Sequence, residues 1–433
     1  MKESKYNIYF EKDGKKYAFN GITCALAPVN DDFFKILSSC QDKDFIVDES
    51  KKVLFDDMKK GNYIVDDNVD ELEFLKFLSG KAKFNNRNIS LTIAPTLNCN
   101  FACPYCYESE KSSVISNEVK EAIYGQIEKY ARKKENVSIT WYGGEPLLVK
   151  DIIFSMSERI IDICKKNGVK YDAFMISNGY LFDDDTINSM VKSNITGIQI
   201  TVDGPPRIHN LRRKLKASDK DTFYKILENI KKLKEANVKV NIRINIDKTN
   251  TDNVEELLCI LKSHDLKDCK ISLGHVRAYT HACNSIASSC LNTKEYAKEN
   301  VKYQKILSDK GFDTSSGRYY PNAKTNYCCA DTLLSFAVDP SGNLYKCWND
   351  IGITSQSVGN IIDLDNDKLE NNTTLIKYLQ WSPFNYKECE ECNILPLCMG
   401  GCPYEGLKNK TPDCEMWKYN LIETLKLTCD ANC

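Results

Sequence analysis

Three cysteines stand close together in the segment TLNCNFACPYCYE, where Cys99, Cys103 and Cys106 form a C-x3-C-x2-C loop. Thiolates so spaced can hold three corners of a [4Fe-4S] cubane and leave the fourth iron without a protein ligand. An iron of that kind is open to a chelating small molecule. A structural zinc site is the competing use of such a loop, but it wants four ligands, and no histidine lies nearby in the sequence to complete a set.

A second field of thiols fills the end of the chain. It begins at the adjacent Cys328 and Cys329, passes through Gly342-x4-Cys347, runs Cys389-x2-Cys392-x5-Cys398-x3-Cys402, and reaches Cys414 after a gap. Here the competing reading is a zinc ribbon. Cys429 and Cys433 end the chain and read as exposed thiols rather than ligands, whereas Cys24, Cys40, Cys164, Cys259, Cys269, Cys283 and Cys290 are scattered and read mostly as small core residues.

The start, MKESKYNIYFEKDGKK, has no apolar stretch flanked by a cleavage site, and no apolar run approaches the roughly 20 residues that span a bilayer. A cytoplasmic protein is therefore expected, and in that reducing compartment clustered thiols bind metal more readily than they pair as disulfides. Basic and acidic residues nearly cancel, 59 against 60 in 433 residues, so no global field draws nucleic acid or an anionic membrane, and neither is an expected partner.

The elements that must position these thiols follow from periodicity. Residues 1–88 read as a small mixed domain: YNIYF and KKYAF are strand-like, DDFFKIL and VDELEFLKFL have helical spacing, and GKAKFNNRN resembles a linker. Residues 89–290 alternate strands with amphipathic helices. The strand-like runs are LTIAPTL, VSITWY, YDAFMIS, GIQITV, VKVNIRINI and KISLGHV, which predicts parallel strands with right-handed crossovers in a six-unit, partly closed barrel. Residues 291–433 open with a helix-like stretch from Thr293 and then become cysteine-rich, as expected of a domain built around bound metal. In such barrels chemistry sits where strands end and loops begin, and the C-x3-C-x2-C loop directly follows the first barrel strand.

CNFACPYC in that position resembles the radical S-adenosylmethionine (SAM) superfamily. In its members the open iron chelates SAM, and one-electron reduction yields a 5'-deoxyadenosyl radical that abstracts hydrogen. Three further segments fit in order. WYGGEP after the second strand resembles the family's GGEP segment and implicates Gly143, Gly144 and Glu145 near the methionyl amino group. ISNG after the third strand offers Ser177 and Asn178 near the nucleoside. ITVDGPPRIHNLRR after the fourth places Thr201 near the ribose and Arg213 near the SAM carboxylate, which a guanidinium can pair bidentately. The resemblance also puts Tyr105 among the SAM contacts. A salt bridge from Asp203 to Arg213 is the alternative for that arginine, and the lone His209 reads as a structural hydrogen-bonding residue.

The second cysteine field resembles the SPASM extension of radical SAM enzymes. The resemblance implies two auxiliary [4Fe-4S] clusters, three in all: Cys389, Cys392, Cys398 and Cys414 around one, and Cys329, Cys347 and Cys402 on the other. Some relatives carry an eighth cysteine where this chain has PNAKTN, so the second auxiliary cluster would either have an open iron or use Cys328. The fold expected is α/β, a partial (β/α)6 TIM-like barrel with a small N-terminal α+β domain and a C-terminal iron-sulfur domain. SPASM enzymes mostly modify peptides, and the N-terminal domain loosely resembles the winged-helix arm with which peptide maturases hold a leader peptide. The implied function is a peptide maturase that forms a cysteine thioether in a ribosomally made precursor, with a flavodoxin or ferredoxin-type reductant. Two alternatives stand beside it: an anaerobic sulfatase-maturating enzyme, in which an aspartate follows a cluster cysteine where this chain has Trp348 after Cys347, and a non-catalytic, metal-stabilised binding or electron-transfer protein.

Overall fold

The computed structural model describes residues 1–42, 45–108, 113–132, 135–218, 220–314, 319–364, 369 and 371–431. The chain forms two units, one comprising Met1–Phe84, Ser315–Cys328 and Trp381–Cys433, the other Asn85–Thr314 and Cys329–Gln380.

The first unit begins with β1 (Lys2–Glu3), then β2 (Asn7–Lys12), β3 (Lys15–Asn20) and β4 (Leu26–Val29), the last three forming an antiparallel sheet in that order. The β2–β3 turn is the dipeptide Asp13-Gly14. Both residues have positive φ, 50° and 71°, the conformation a two-residue hairpin needs. Helix α1 (Asp31–Ser39) is capped by Asn30, α2 (Lys52–Lys60) follows, β5 (Ile64–Val65) pairs with β1, and α3 (Glu71–Lys83) is capped by Asp70. GKAKFNNRN is thus only partly a linker, since α3 runs into it and buries Lys83. The C-terminal helix Trp417–Ala431 lays Leu421, Leu425 and Cys429 against Phe10 and Phe19 of the N-terminal sheet. Cys429 is therefore a buried core residue and not the exposed thiol expected from its position; Cys433 lies outside the described residues.

In the second unit the six strand-like runs become β6 (Asn88–Ile93), β7 (Asn136–Trp141), β8 (Lys170–Ser177), β9 (Ile195–Thr201), β10 (Lys239–Ile246) and β11 (Lys270–His275), all parallel neighbours in sequence order. In β10 the period-2 pattern is explicit: Ile242, Ile244 and Ile246 are fully buried on one face, while Asn241, Arg243 and Asn245 share the other. Between the strands lie α4 (Asn117–Ala131), α5 (Lys150–Asn167), α6 (Asp184–Lys192), α7 (Pro206–Arg212), α8 (Phe223–Glu235) and α9 (Val254–Ser263), and α10 (Thr293–Asp309) follows with a capping box between Asn292 and Glu295. Helix α5 ends at Gly168, whose φ of 64° closes the helix in the left-handed region.

The sheet is larger than six strands. β12 (Ser335–Val338) adds in parallel to β6, and β13 (Asn343–Tyr345) and β14 (Gly359–Asn360) extend it antiparallel, giving the order β11-β10-β9-β8-β7-β6-β12-β13-β14. The architecture is α/β around a central parallel sheet, with part of the cysteine-rich stretch joined to that sheet. No helix among the described residues is long and apolar enough to cross a membrane.

Candidate active site

The loops that follow β6, β7, β8 and β9 converge on the segment carrying Cys99, Cys103 and Cys106. The loop after β7 approaches most closely: Gly144 N–H donates to Thr96 O at 3.2 Å and Glu145 N–H to Asn98 O at 2.8 Å. A Cβ on Gly144 would sit 2.2 Å from Asn98 O, and one on Gly143, whose φ is +114°, 2.4 Å from Thr96 O. Only glycine lets the two backbones meet. The loop after β8 is tied in by Asn178 Nδ2, which donates to Asn100 Oδ1 at 2.7 Å. From the loop after β9, Lys214 O accepts from Ala102 N–H at 2.9 Å and Lys216 N–H donates to Asn100 O at 2.9 Å.

Glu145 locks two of these loops together. Its carboxylate accepts from Asn178 N–H at 2.7 Å, Ser177 Oγ at 2.9 Å and Leu147 N–H at 3.1 Å, and burial raises its pKa while those donors oppose the rise. The polar atoms of Glu145, Ser177 and Asn178 are thus engaged within the protein. Thr201 ends β9, buried at the same strand end.

The two adjacent arginines divide their work. Arg212 reaches down to Asp247, both of whose oxygens accept from its Nη1 at 2.8–2.9 Å, and its Nε lies 3.5 Å from Asp203. The salt bridge of Asp203 is therefore made with Arg212 rather than Arg213. Arg213 points to the cysteine loop instead, with Nη1 2.8 Å from the Tyr105 hydroxyl and 3.6 Å from Cys103 Sγ; its Nε is buried without a partner. Tyr105 also donates to Asp203. His209 accepts at Nδ1 from Asp203 N–H at 3.3 Å, and burial, with Arg213 and Arg212 nearby, pushes it well below the ordinary histidine pKa, so it is a neutral structural residue.

Burial lifts the Cys99 and Cys106 thiols to about 12 and raises Cys103 as well, with the three sulfurs near enough to perturb one another. Among the described residues no three His, Cys, Asp or Glu side chains are gathered at metal-binding geometry. The fit of iron rests on the donors: three sulfurs in one loop, the ligands an iron-sulfur cluster takes, beside a guanidinium. Sequence reasoning overlooked Asn100, Asp247 and Glu108. The last, two residues after Cys106, is a carboxyl that burial holds up at about 7 beside Tyr142. Only adjacency to the cysteine motif could have drawn attention to it.

The outer group of thiols forms a second feature inside the first unit. Cys389, Cys392, Cys398 and Cys414 line one pocket. Cys398 ends a short helix that stops at Met399, Gly400 and Gly401, all with positive φ. A Cβ on Gly401 would lie 1.6 Å from Asp413 O, so this glycine allows the loop bearing Cys414 to cross close to Cys398. Four cysteines on one pocket are the donor set an iron-sulfur cluster takes. Cys402 caps the helix Pro403–Asn409 in this same unit, whereas Cys329 and Cys347 belong to the other, each at the start of a short helical turn. Of the scattered cysteines, Cys40, Cys164, Cys269 and Cys283 are buried, Cys24 and Cys290 half-buried and Cys259 exposed.

The cysteine-type anaerobic sulfatase-maturating enzyme of Clostridium novyi (strain NT) is 25% identical over 356 residues, 76% of this chain and 90% of that protein. Among solved structures, native anSMEcpe with bound AdoMet and Cp18Cys peptide superposes with a TM-score of 0.61 at 20% identity, covering 79% of this chain and 99% of its own. Streptococcus suis SuiB bound to precursor peptide SuiA superposes with a TM-score of 0.56 at 13% identity, covering 96% and 98%. Residues 93–260, which carry the cysteine loop and the four converging strand ends, match the radical SAM superfamily, and the chain carries a radical SAM domain.

Proposed function

We propose that this chain is a radical SAM peptide maturase that installs a cysteine thioether in a ribosomally made precursor. When bound, a [4Fe-4S] cluster on Cys99, Cys103 and Cys106 together with SAM supplies a 5'-deoxyadenosyl radical. The protein's part is positional. Arg213 holds the SAM carboxylate, the Gly143–Gly144 backbone brings the loop after β7 to the methionyl amino group, Thr201 and the loop after β8 flank the nucleoside, and the walls of the parallel sheet keep water from the carbon radical. Cys389, Cys392, Cys398 and Cys414 hold an auxiliary cluster, and the sequence spacing offers Cys329, Cys347 and Cys402 to a further one. A flavodoxin or ferredoxin-type protein supplies the electron.

The observation that carries the thioether reading is the surrounding of Cys347. The next residue, Trp348, packs at a tilt against Tyr142 with ring centroids 5.0 Å apart, and the nearest following carboxylate, Asp350, accepts from the Tyr378 hydroxyl at 2.8 Å. No aspartate adjoins the cysteine to serve as a base. The N-terminal sheet adds support, because β4 is an edge strand able to pair with an extended leader. The similarity to sulfatase-maturating enzymes supports the second reading, formylglycine formation. Reconstituted protein given SAM, dithionite and a cysteine-containing precursor encoded beside it should release 5'-deoxyadenosine and return a peptide lighter by two hydrogens whose cysteine resists alkylation. A product that instead reacts with hydrazide as an aldehyde establishes the sulfatase reading, and absence of 5'-deoxyadenosine removes both in favour of a binding protein.

A further inference from the structure

The pocket lined by Cys389, Cys392, Cys398 and Cys414 has an uneven charge environment. Two carboxylates line it, Glu388 and Glu415, and Glu415 is engaged by Lys324 at 2.8 Å. The single cation in the lining is Lys418, in the first turn of the C-terminal helix, whose Nζ lies 3.4 Å from Cys414 Sγ. Cys389 and Cys398 are buried in the wall, so Cys414 is where a solvent-side donor meets the sulfur cage.

We infer that Lys418 sets the reduction potential of the cluster in this pocket by donating a hydrogen bond to the Cys414 sulfur. The inference rests on the reading that these four cysteines enclose a cluster. Reduction adds a negative charge to an already anionic cage, and in a lining with two carboxylates that charge is disfavoured. A cationic donor on one ligand sulfur stabilises the reduced form more than the oxidised form and so raises the potential. The consequence is a cluster better able to accept an electron at the end of turnover. Lys418 touches neither substrate nor SAM, so it is a positioning residue for charge. Its side chain is exposed, and its replacement leaves the surrounding core intact.

The test is an EPR-monitored redox titration of reconstituted holoenzyme in wild type, Lys418→Met and Lys418→Arg, with iron and sulfide measured on each. Lys418→Met is expected to keep its full iron content and move the midpoint of one cluster to lower potential while every other midpoint stays in place. Lys418→Arg should restore most of the shift. Unchanged midpoints in Lys418→Met overturn the inference, and so does loss of one cluster's iron, which would make the residue part of the scaffold. A Cys392→Ala holoenzyme separates the two levels: if its iron content equals wild type, the cluster reading itself is wrong, whereas a drop in iron with no shift in Lys418→Met sinks only the role of Lys418.

Discussion

Arg213 Nη1 stands 2.8 Å from the Tyr105 hydroxyl, which joins the loop after β9 to the cysteine loop after β6 through one charged hydrogen bond. The same guanidinium approaches Cys103 Sγ and leaves its Nε buried and unpartnered. A buried donor without an acceptor is costly. A carboxylate arriving beside the cysteine loop would satisfy it, which is the role the resemblance assigns to this arginine.

The first prediction separates the two neighbouring arginines. Arg213→Ala should weaken SAM binding by roughly 1.5–3 kcal/mol, about tenfold to a hundredfold in Kd, with little loss of stability. Arg212→Ala strands the buried Asp247 and should destabilise the fold by roughly 3–5 kcal/mol. Calorimetric SAM titration and urea unfolding on both variants check this. Equal losses of affinity and stability in the two would sink the division of labour.

A second prediction concerns Gly144. Adding one methyl group places a Cβ 2.2 Å from Asn98 O, a backbone atom that cannot swing aside. Gly144→Ala should therefore displace the cysteine loop and lower the iron bound per chain, with the outer auxiliary pocket unaffected because it belongs to the other unit. Iron analysis with EPR of the SAM-perturbed signal reads this directly. Wild-type iron and an unchanged signal would show that the close approach is dispensable.

The strands of the parallel sheet were legible because each is long enough to show its pattern, as in the buried isoleucines of β10. β12 and β13 were not: SFAV and NLY are too short for a period, and only pairing makes them strands, β12 with the distant β6 and β13 with β12 and β14. The motif residues around the cysteine loop were legible as a group, but not what their side chains do. Nothing in the sequence says that Glu145 spends its oxygens on Ser177 and Asn178, since that contact joins two loops. Cys429 illustrates the reverse failure. Its spacing from Leu421 and Leu425 is the helical i, i+4, i+8 series of a buried face, and its place near the end of the chain concealed that signal.

A third prediction uses the thiols as reporters. With Cys99 lifted to about 12 by burial, it is protonated at neutral pH in iron-free protein, and only the thiolate alkylates. Exposed Cys259 should react with iodoacetamide first at about pH 8, and half-buried Cys99 should lag well behind it. Cluster assembly deprotonates the ligands, so reconstitution should release protons. Mass spectrometry of timed labelling decides it, and labelling of Cys99 at the rate of Cys259 would count against the burial.

The last prediction concerns Asp350. It is buried beneath Tyr378, whose hydroxyl donates to it at 2.8 Å, and burial raises its pKa from 3.8 to about 6, with the tyrosine opposing. The folded state therefore holds this proton more tightly than the unfolded chain does. Stability falls as pH rises from about 4 to about 6, and the cost is fully present above that window. Asp350→Asn keeps an acceptor for Tyr378 and removes the buried charge, so the variant should be more stable than wild type at about pH 7.5 by roughly 1–3 kcal/mol. That advantage should shrink at about pH 5, where the wild-type carboxyl is mostly protonated in the folded protein. Comparing urea midpoints of the two proteins at both pH values cancels the titration of every other group. If the asparagine variant is weaker than wild type by the same margin at both, Asp350 carries a partner that needs its charge, and a carboxylate close to Cys347 would again be available for proton transfer.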